Sequence, residues 1–137
     1  MTSLAIVDTG PLVGAAVEDD DHHAASLAVL ARSDLRYVVP AFVAAEATYL
    51  VGQWLSPQAE ARFVRGLGAW DIARPDAADW GRIADLIEQF ADFPLGAADA
   101  SVVALAERLG TDVVVTFDRR HFPAIRPKHR DHLTLLP

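Results

Sequence analysis

Leu4-Ala5-Ile6-Val7-Asp8-Thr9-Gly10-Pro11 is a short, partly β-branched apolar run that stops at a carboxylate and a turn. An apolar run of this length without alternation is the pattern of a strand buried on both faces, as in the parallel sheet of an α/β domain. Val113-Val114-Val115-Thr116-Phe117 repeats the pattern and ends at Asp118. In parallel sheets ligands bind beyond the carboxyl ends of the strands. Asp8 and Asp118 are thereby assigned to one rim.

Working outward, strand-like and helix-like segments alternate. Short helices are predicted over about Pro11 to Val17 and, after the acidic loop Glu18-Asp19-Asp20-Asp21, over His22 to Arg32. Arg36 to Val39 reads as a second strand closed by Pro40, followed by a helix over about Ala41 to Leu55. Ser56-Pro57 supplies an N-cap with proline at the first helical position, opening a helix to about Gly66. Trp70 to Ala73 reads as a short strand, and Asp76 caps a helix ending near Phe90. Gly110 terminates a helix over Ala97 to Leu109, and Leu133 to Leu136 is the last strand, at a sheet edge. The expectation is an α/β fold over residues 1–137, one domain in three layers with a mainly parallel central sheet flanked by helices.

Two further acids fall on helices. Val43, Glu46, Ala47, Leu50 and Trp54 share one face by three- and four-residue steps, with Glu46 its single charge. Asp99, Val102, Val103, Ala106 and Leu109 do the same on the later helix, while Glu107 and Arg108 lie off that stripe and read as solvated. Each acid alone has an ordinary explanation: an Asx-turn for Asp8, a first-turn dipole partner for Asp99, a snorkelling or Arg-paired side chain for Glu46. Four together, two at strand ends and two on inward stripes, point to one site. Two unit charges about 5 Å apart repel by roughly 3 kcal/mol at an effective dielectric near 20. Several such pairs require proton uptake or cations, and an oxygen-only donor set suits Mg²⁺ or Mn²⁺.

The chain of 137 residues has no cysteine, which excludes disulfides and thiolate metal sites. No apolar run approaches the roughly 20 residues of a membrane span, and no N-terminal targeting pattern appears, so a soluble cytoplasmic protein is expected. A net charge of −7 argues against a passive nucleic-acid-binding domain but not against a metal-dependent nuclease. The aromatic side chains of Phe42, Tyr49, Trp54 and Phe63 are assigned to the core ahead of a partner or dimer surface. Adjacent His22 and His23 point apart on a helix and make a poor zinc site, and His121 reads as a capping or surface residue.

Ile6-Val7-Asp8-Thr9-Gly10-Pro11-Leu12, Ala44-Ala45-Glu46-Ala47-Thr48-Tyr49-Leu50, Pro94-Leu95-Gly96-Ala97-Ala98-Asp99 with Ala100 to Ala106, and Val115-Thr116-Phe117-Asp118-Arg119-Arg120-His121-Phe122 together resemble a PIN-domain ribonuclease, specifically a VapC-type toxin of a bacterial toxin–antitoxin pair. With the order of elements between them, the likeness spans essentially the whole chain. It implies that Asp8, Glu46, Asp99 and Asp118 form an acidic quartet holding Mg²⁺ or Mn²⁺, Asp8 and Asp99 closest and Glu46 and Asp118 partly through water. Thr9 and Thr116 match supporting hydroxyl positions. Arg119 and Arg120 are candidates for contact with RNA backbone, solvent exposure being the equal alternative. Hydrolysis of an RNA phosphodiester by a metal-activated water is implied, with tRNA or ribosomal RNA as substrate classes, a VapB-like antitoxin as partner and a homodimer as the expected assembly. Ser56 to Asp92 matches no motif.

Two other readings stand beside this one. A phosphoryl-transfer enzyme using Asp8 as nucleophile would want an acid where Gly10 stands, or a lysine near the site, and Lys128 is the only lysine. A non-catalytic RNA- or protein-binding module of the same fold has no need of four acids.

Overall fold

The computed structural model describes residues 2–137. The elements in chain order are β1 (Ser3–Val7), α1 (Thr9–Ala16), α2 (His23–Leu30), β2 (Leu35–Pro40), α3 (Ala41–Trp54), α4 (Pro57–Leu67), β3 (Ile72–Ala73), α5 (Ala77–Gln89), α6 (Ala97–Leu109), β4 (Val113–Val115), a 3-10 turn (Phe122–Ala124) and β5 (Thr134–Leu136). The five strands form one sheet in the order β3-β2-β1-β4-β5, and every pairing is parallel.

The pattern that decides this topology is the apolar content of the two central strands. Ala5, Ile6 and Val7 in β1, with Val114 and Val115 in β4, have no solvent exposure. Helix α6 packs across β1 and β2, α5 lies against α6, and α1 contacts α2 and α3. On α6 the run from Ala100 to Ala106 is buried all round, so this helix is core rather than amphipathic cover. Gly110 ends it at φ 71°, a left-handed cap that suits glycine. Ser56 caps α4 by accepting a hydrogen bond from the Ala59 amide at 3.1 Å.

The chain leaves β1 toward β2 on one side and meets β4 on the other, so the switch point lies between β1 and β4. Ligand crevices form at such points. In the register Val7 pairs with Val115, and the Asp8 amide continues the ladder to the Val115 carbonyl at 2.9 Å. Thr116 is therefore the direct neighbour of Asp8.

Several expectations change in detail. Strand β4 stops at Val115, so Thr116, Phe117 and Asp118 leave the sheet and turn into a loop. That loop is pinned by Phe122, whose fully buried ring sits in the 3-10 turn, an element the apolar pattern is too short to reveal. Tyr49 and Trp54 are 63% and 58% exposed and do not belong to the core, whereas Phe42 and Phe63 pack against it. Glu107 is not a solvated charge, its side chain being 11% exposed and paired with Arg82 at 2.8 Å, whereas Arg108 stays exposed as expected and pairs with Asp79 at 2.8 Å. No helix among the described residues is long and apolar enough to cross a membrane.

Candidate active site at the carboxyl ends of the central strands

Asp8 stands at the N-cap position of α1, immediately after β1. It is 5% exposed. One carboxylate oxygen, Oδ2, accepts a hydrogen bond from the Thr116 hydroxyl at 2.7 Å. The other, Oδ1, is buried and has no hydrogen-bond partner. A buried carboxylate oxygen without a partner is costly. Burial, then the nearby charge of Asp99, pushes the Asp8 carboxyl up to about 7 from its ordinary 3.8, with the Thr116 hydroxyl and the Thr9 amide pulling partly the other way.

Thr116, itself without exposure, links two acids. Its Oγ1 donates to Asp8 and accepts from the Asp118 amide at 3.0 Å. Asp99, half-buried in the first turn of α6, is brought to the same rim by the buried helix beneath it. Burial raises its pKa as well, followed by repulsion from Asp118 and Glu46. The four acids of the sequence reading thus feel one another's charges: Asp8 with Asp99 and Asp118, and Asp99 with Asp118 and Glu46.

Glu46 does not occupy the inward position expected from its stripe. It is exposed, at the cleft edge of α3, while Val43 and Ala47 on the same helix are buried. The Thr9 hydroxyl donates to its Oε2 at 2.7 Å, tying α1 to α3. Asp118 is held differently again. Its Oδ1 accepts from the amides of Arg120 and His121 at 2.8 and 2.9 Å, and His121 Nδ1 lies 2.9 Å from its Oδ2. Burial works against the Asp118 charge, but these donors outweigh it and hold the carboxyl below the usual aspartate range. His121 is thus a ring-and-amide partner of a site acid, beyond the capping or surface role read from sequence. Its three-residue step from Asp118 is a signal that could have pointed there.

Among the described residues no three carboxylate or imidazole groups converge on a point that could hold an ion. The cause is visible in the hydrogen bonds. Asp118 turns both oxygens into its own loop, and Glu46 gives one oxygen to Thr9. Asp8 Oδ1 alone presents an oxygen that is buried and unclaimed.

Arg119 and Arg120 are exposed at the same rim. Arg119 donates to the Pro137 carbonyl, and the Arg120 guanidinium lies 5.5 Å from the centre of the Phe93 ring. Phe93 also stacks on His121 with centroids 4.4 Å apart. Neither arginine is engaged by a carboxylate among the described ion pairs. On the other side of the acids, His22 stacks on Phe117 at 4.0 Å with planes 9° apart.

The chain matches the family model described as PIN domain over residues 5–126. It is 36% identical over 135 residues to Ribonuclease VapC26 of Mycobacterium tuberculosis, covering 96% of this chain and 99% of that protein. Its fold is similar to that of VapC20 of Mycobacterium tuberculosis, a sarcin-ricin loop cleaving toxin, with TM-score 0.76 and 15% identity over 84% of this chain and 90% of that one. It is also similar to VapBC2 of Rickettsia felis bound to a promoter DNA fragment, with TM-score 0.69 and 19% identity over 97% of both chains. Motif order, switch-point geometry and these likenesses agree: the chain belongs to the PIN-domain family and is of the VapC type.

Proposed function

We propose that this chain is a Mg²⁺- or Mn²⁺-dependent endoribonuclease, the toxin of a VapBC-type pair, acting through Asp8, Glu46, Asp99 and Asp118. The observation that carries the reading is Asp8 Oδ1, a buried oxygen with no partner on a carboxyl pushed up to about 7, beside a second raised acid. Such an arrangement is poorly suited to an empty site and well suited to a hard cation. The name of the 36% identical relative supports RNA as the substrate.

A divalent ion bound here would lower the pKa of a water and offset charge on the phosphate. Asp8 and Asp99 are the residues best placed to hold it. Thr116 keeps Asp8 Oδ2 occupied, so that Oδ1 is the oxygen left to face the cation. Thr9 orients Glu46, and the amides of Arg120 and His121 keep Asp118 ionised. Asp118, with both oxygens engaged in its own loop, and Glu46, with one oxygen held by Thr9, act partly through water or after a side-chain rotation. Arg119 and Arg120 supply positive charge for the RNA backbone, where arginine positions the substrate without reading its sequence. A VapB-like antitoxin is the expected partner; a guanidinium from it would satisfy the same carboxylates.

The test is cleavage of total cellular RNA by the purified protein with Mg²⁺ or Mn²⁺, with the product ends mapped. Discrete cuts that vanish in EDTA are expected. Cleavage indifferent to EDTA, or no cleavage with either ion, would sink the reading.

A further inference from the structure

The PIN motif leaves unassigned a cavity of about 250 Å³ that opens next to the acids and shares Glu46 with them. Helix α3 contributes Glu46, Leu50 and Trp54 to it at four-residue steps, which put all three on one face. His22, Phe117 and Asp20 line it as well. Trp54 is 58% exposed although large and apolar. His22 is stacked on Phe117, and its backbone amide donates to Asp20 Oδ1 at 2.8 Å, so ring and carboxylate are held as a unit. The space is below the roughly 300–1,000 Å³ of a drug-sized ligand pocket, and its walls are flat rings. Its charged groups are the carboxylates of Asp20 and Glu46, which when ionised only accept hydrogen bonds. The Thr9 hydroxyl that also lines it is already spent on Glu46, and the polar atoms of His22 and Trp54 belong to the ring wall.

We infer that this cavity takes one nucleobase of the RNA substrate, guanine above all, stacked on the aromatic wall with its amino edge toward Asp20. Aromatic rings bind every base by its face. Discrimination comes from the Asp20 carboxylate, which can only accept. Guanine offers an imino and an amino donor side by side to one carboxylate. Adenine and cytosine offer a single amino group. Uracil offers one imino N–H, but a carbonyl oxygen on each side of it meets the acid and repels it, so uracil is the least favoured. Because the cavity adjoins Glu46, the base it holds belongs to a nucleotide next to the scissile phosphate. Asp20, His22 and Trp54 are therefore specificity-determining residues of the reaction. The inference rests on the ribonuclease reading for its biological meaning, but its first test does not.

That test follows the indole N–H signal of Trp54, assigned with Trp54→Phe, in the ¹H–¹⁵N spectrum of the EDTA-treated protein during titration with free nucleosides. Guanosine at millimolar concentration is expected to shift it saturably, adenosine and cytidine less, uridine not at all. His22→Ala should weaken guanosine binding about fivefold or more, the low end of what loss of one base–aromatic stack costs. His22→Phe should restore it, and Asp20→Asn should bring guanosine and adenosine to equal affinity. A second arm maps cut sites in RNA, where His22→Ala and Asp20→Asn are expected to raise KM and broaden the base preference with kcat retained. Nucleoside binding without RNA cleavage would leave the pocket standing and remove the ribonuclease reading. Cleavage with no guanosine-dependent shift, equal shifts by uridine, or an unaltered cut preference in both variants overturns the pocket.

Discussion

Asp79 and Glu107 on the α5–α6 flank are nearly as buried as Asp8, with side chains 10% and 11% exposed, yet their situation is the opposite. Asp79 Oδ2 accepts from Arg108 Nε at 2.8 Å and from the Asp76 amide at 2.9 Å. Glu107 takes two hydrogen bonds from Arg82 at 2.8 Å and one from the Lys128 amide at 2.7 Å. Burial alone would raise the Glu107 pKa, but these donors carry it below the ordinary value. Asp8 meets no arginine and is driven up. The flank is neutralised as folded, whereas the rim of β1 and β4 carries raised acids with no arginine against them. Burial alone does not distinguish these acids; the presence of a counter-charge does.

Charge removal sets the two regions against each other most strongly. Asp8→Asn is expected to lower RNA cleavage by more than about 100-fold, beyond the 10–100-fold cost of losing an outer partner of a metal site. The same change should raise the stability of the metal-free protein at pH 8, by on the order of 1 kcal/mol or more, the scale of one pKa unit. Asp79→Asn should do the reverse, costing about 1–3 kcal/mol through the charge-assisted bond to Arg108 while leaving cleavage per folded molecule unchanged. Urea melts and cleavage rates on both proteins decide it, and a destabilised Asp8→Asn would break the comparison.

Thr116→Val comes next. It deletes the donor to Asp8 Oδ2 and the acceptor of the Asp118 amide inside a fully buried pocket. Cleavage should fall roughly 10–100-fold. Retained activity would mean that the carboxylate is oriented by something other than this hydroxyl.

The pH dependence of stability separates the regions by window. Between the ordinary aspartate value of 3.8 and about 7, folded Asp8 holds a proton that the unfolded chain has released. The folded state then binds more protons than the unfolded state, so metal-free stability falls as pH rises, by up to about 1.4 kcal/mol per pH unit, and levels off above 7. Asp99 acts in the same direction. Glu107, with its pKa lowered, contributes stability that is lost only as pH drops below the ordinary glutamate range. Thermal melts in EDTA from pH 4 to 8 measure this, and saturating Mg²⁺ should flatten the decline. The smallest effect is expected for Arg119→Ala, a modest rise in KM with a salt dependence shallower by about one unit of slope.

Much of the fold was legible because β1 and β4 are apolar enough to be read without partners. The same strands announced Asp8 and Asp118 by ending in them. Asp99 was legible from its place in the first turn of an otherwise buried helix. The rest depends on distances in space. Helical spacing put Glu46 on an apolar stripe, but only the packing of α3 against α1 decides that the stripe passes from core to cleft between Val43 and Trp54. The Arg82–Glu107 and Arg108–Asp79 pairs join residues 25 and 29 positions apart, beyond any local rule. Phe122 packs where the strand-ending loop folds back, and a lone aromatic carries no period to read.

The hydroxyl of Thr116 has a single hydrogen and spends it on Asp8 Oδ2, while its own lone pair takes the Asp118 amide. With that side of Asp8 already supplied, a proton arriving from solvent is directed to the unpartnered Oδ1, the oxygen that the proposed cation would also take. Acid and metal would then be rivals for one atom. Below about pH 7 the affinity for Mg²⁺ or Mn²⁺ is expected to fall up to tenfold per pH unit, so that mild acidification would silence the chain by displacement at a single oxygen with the fold intact.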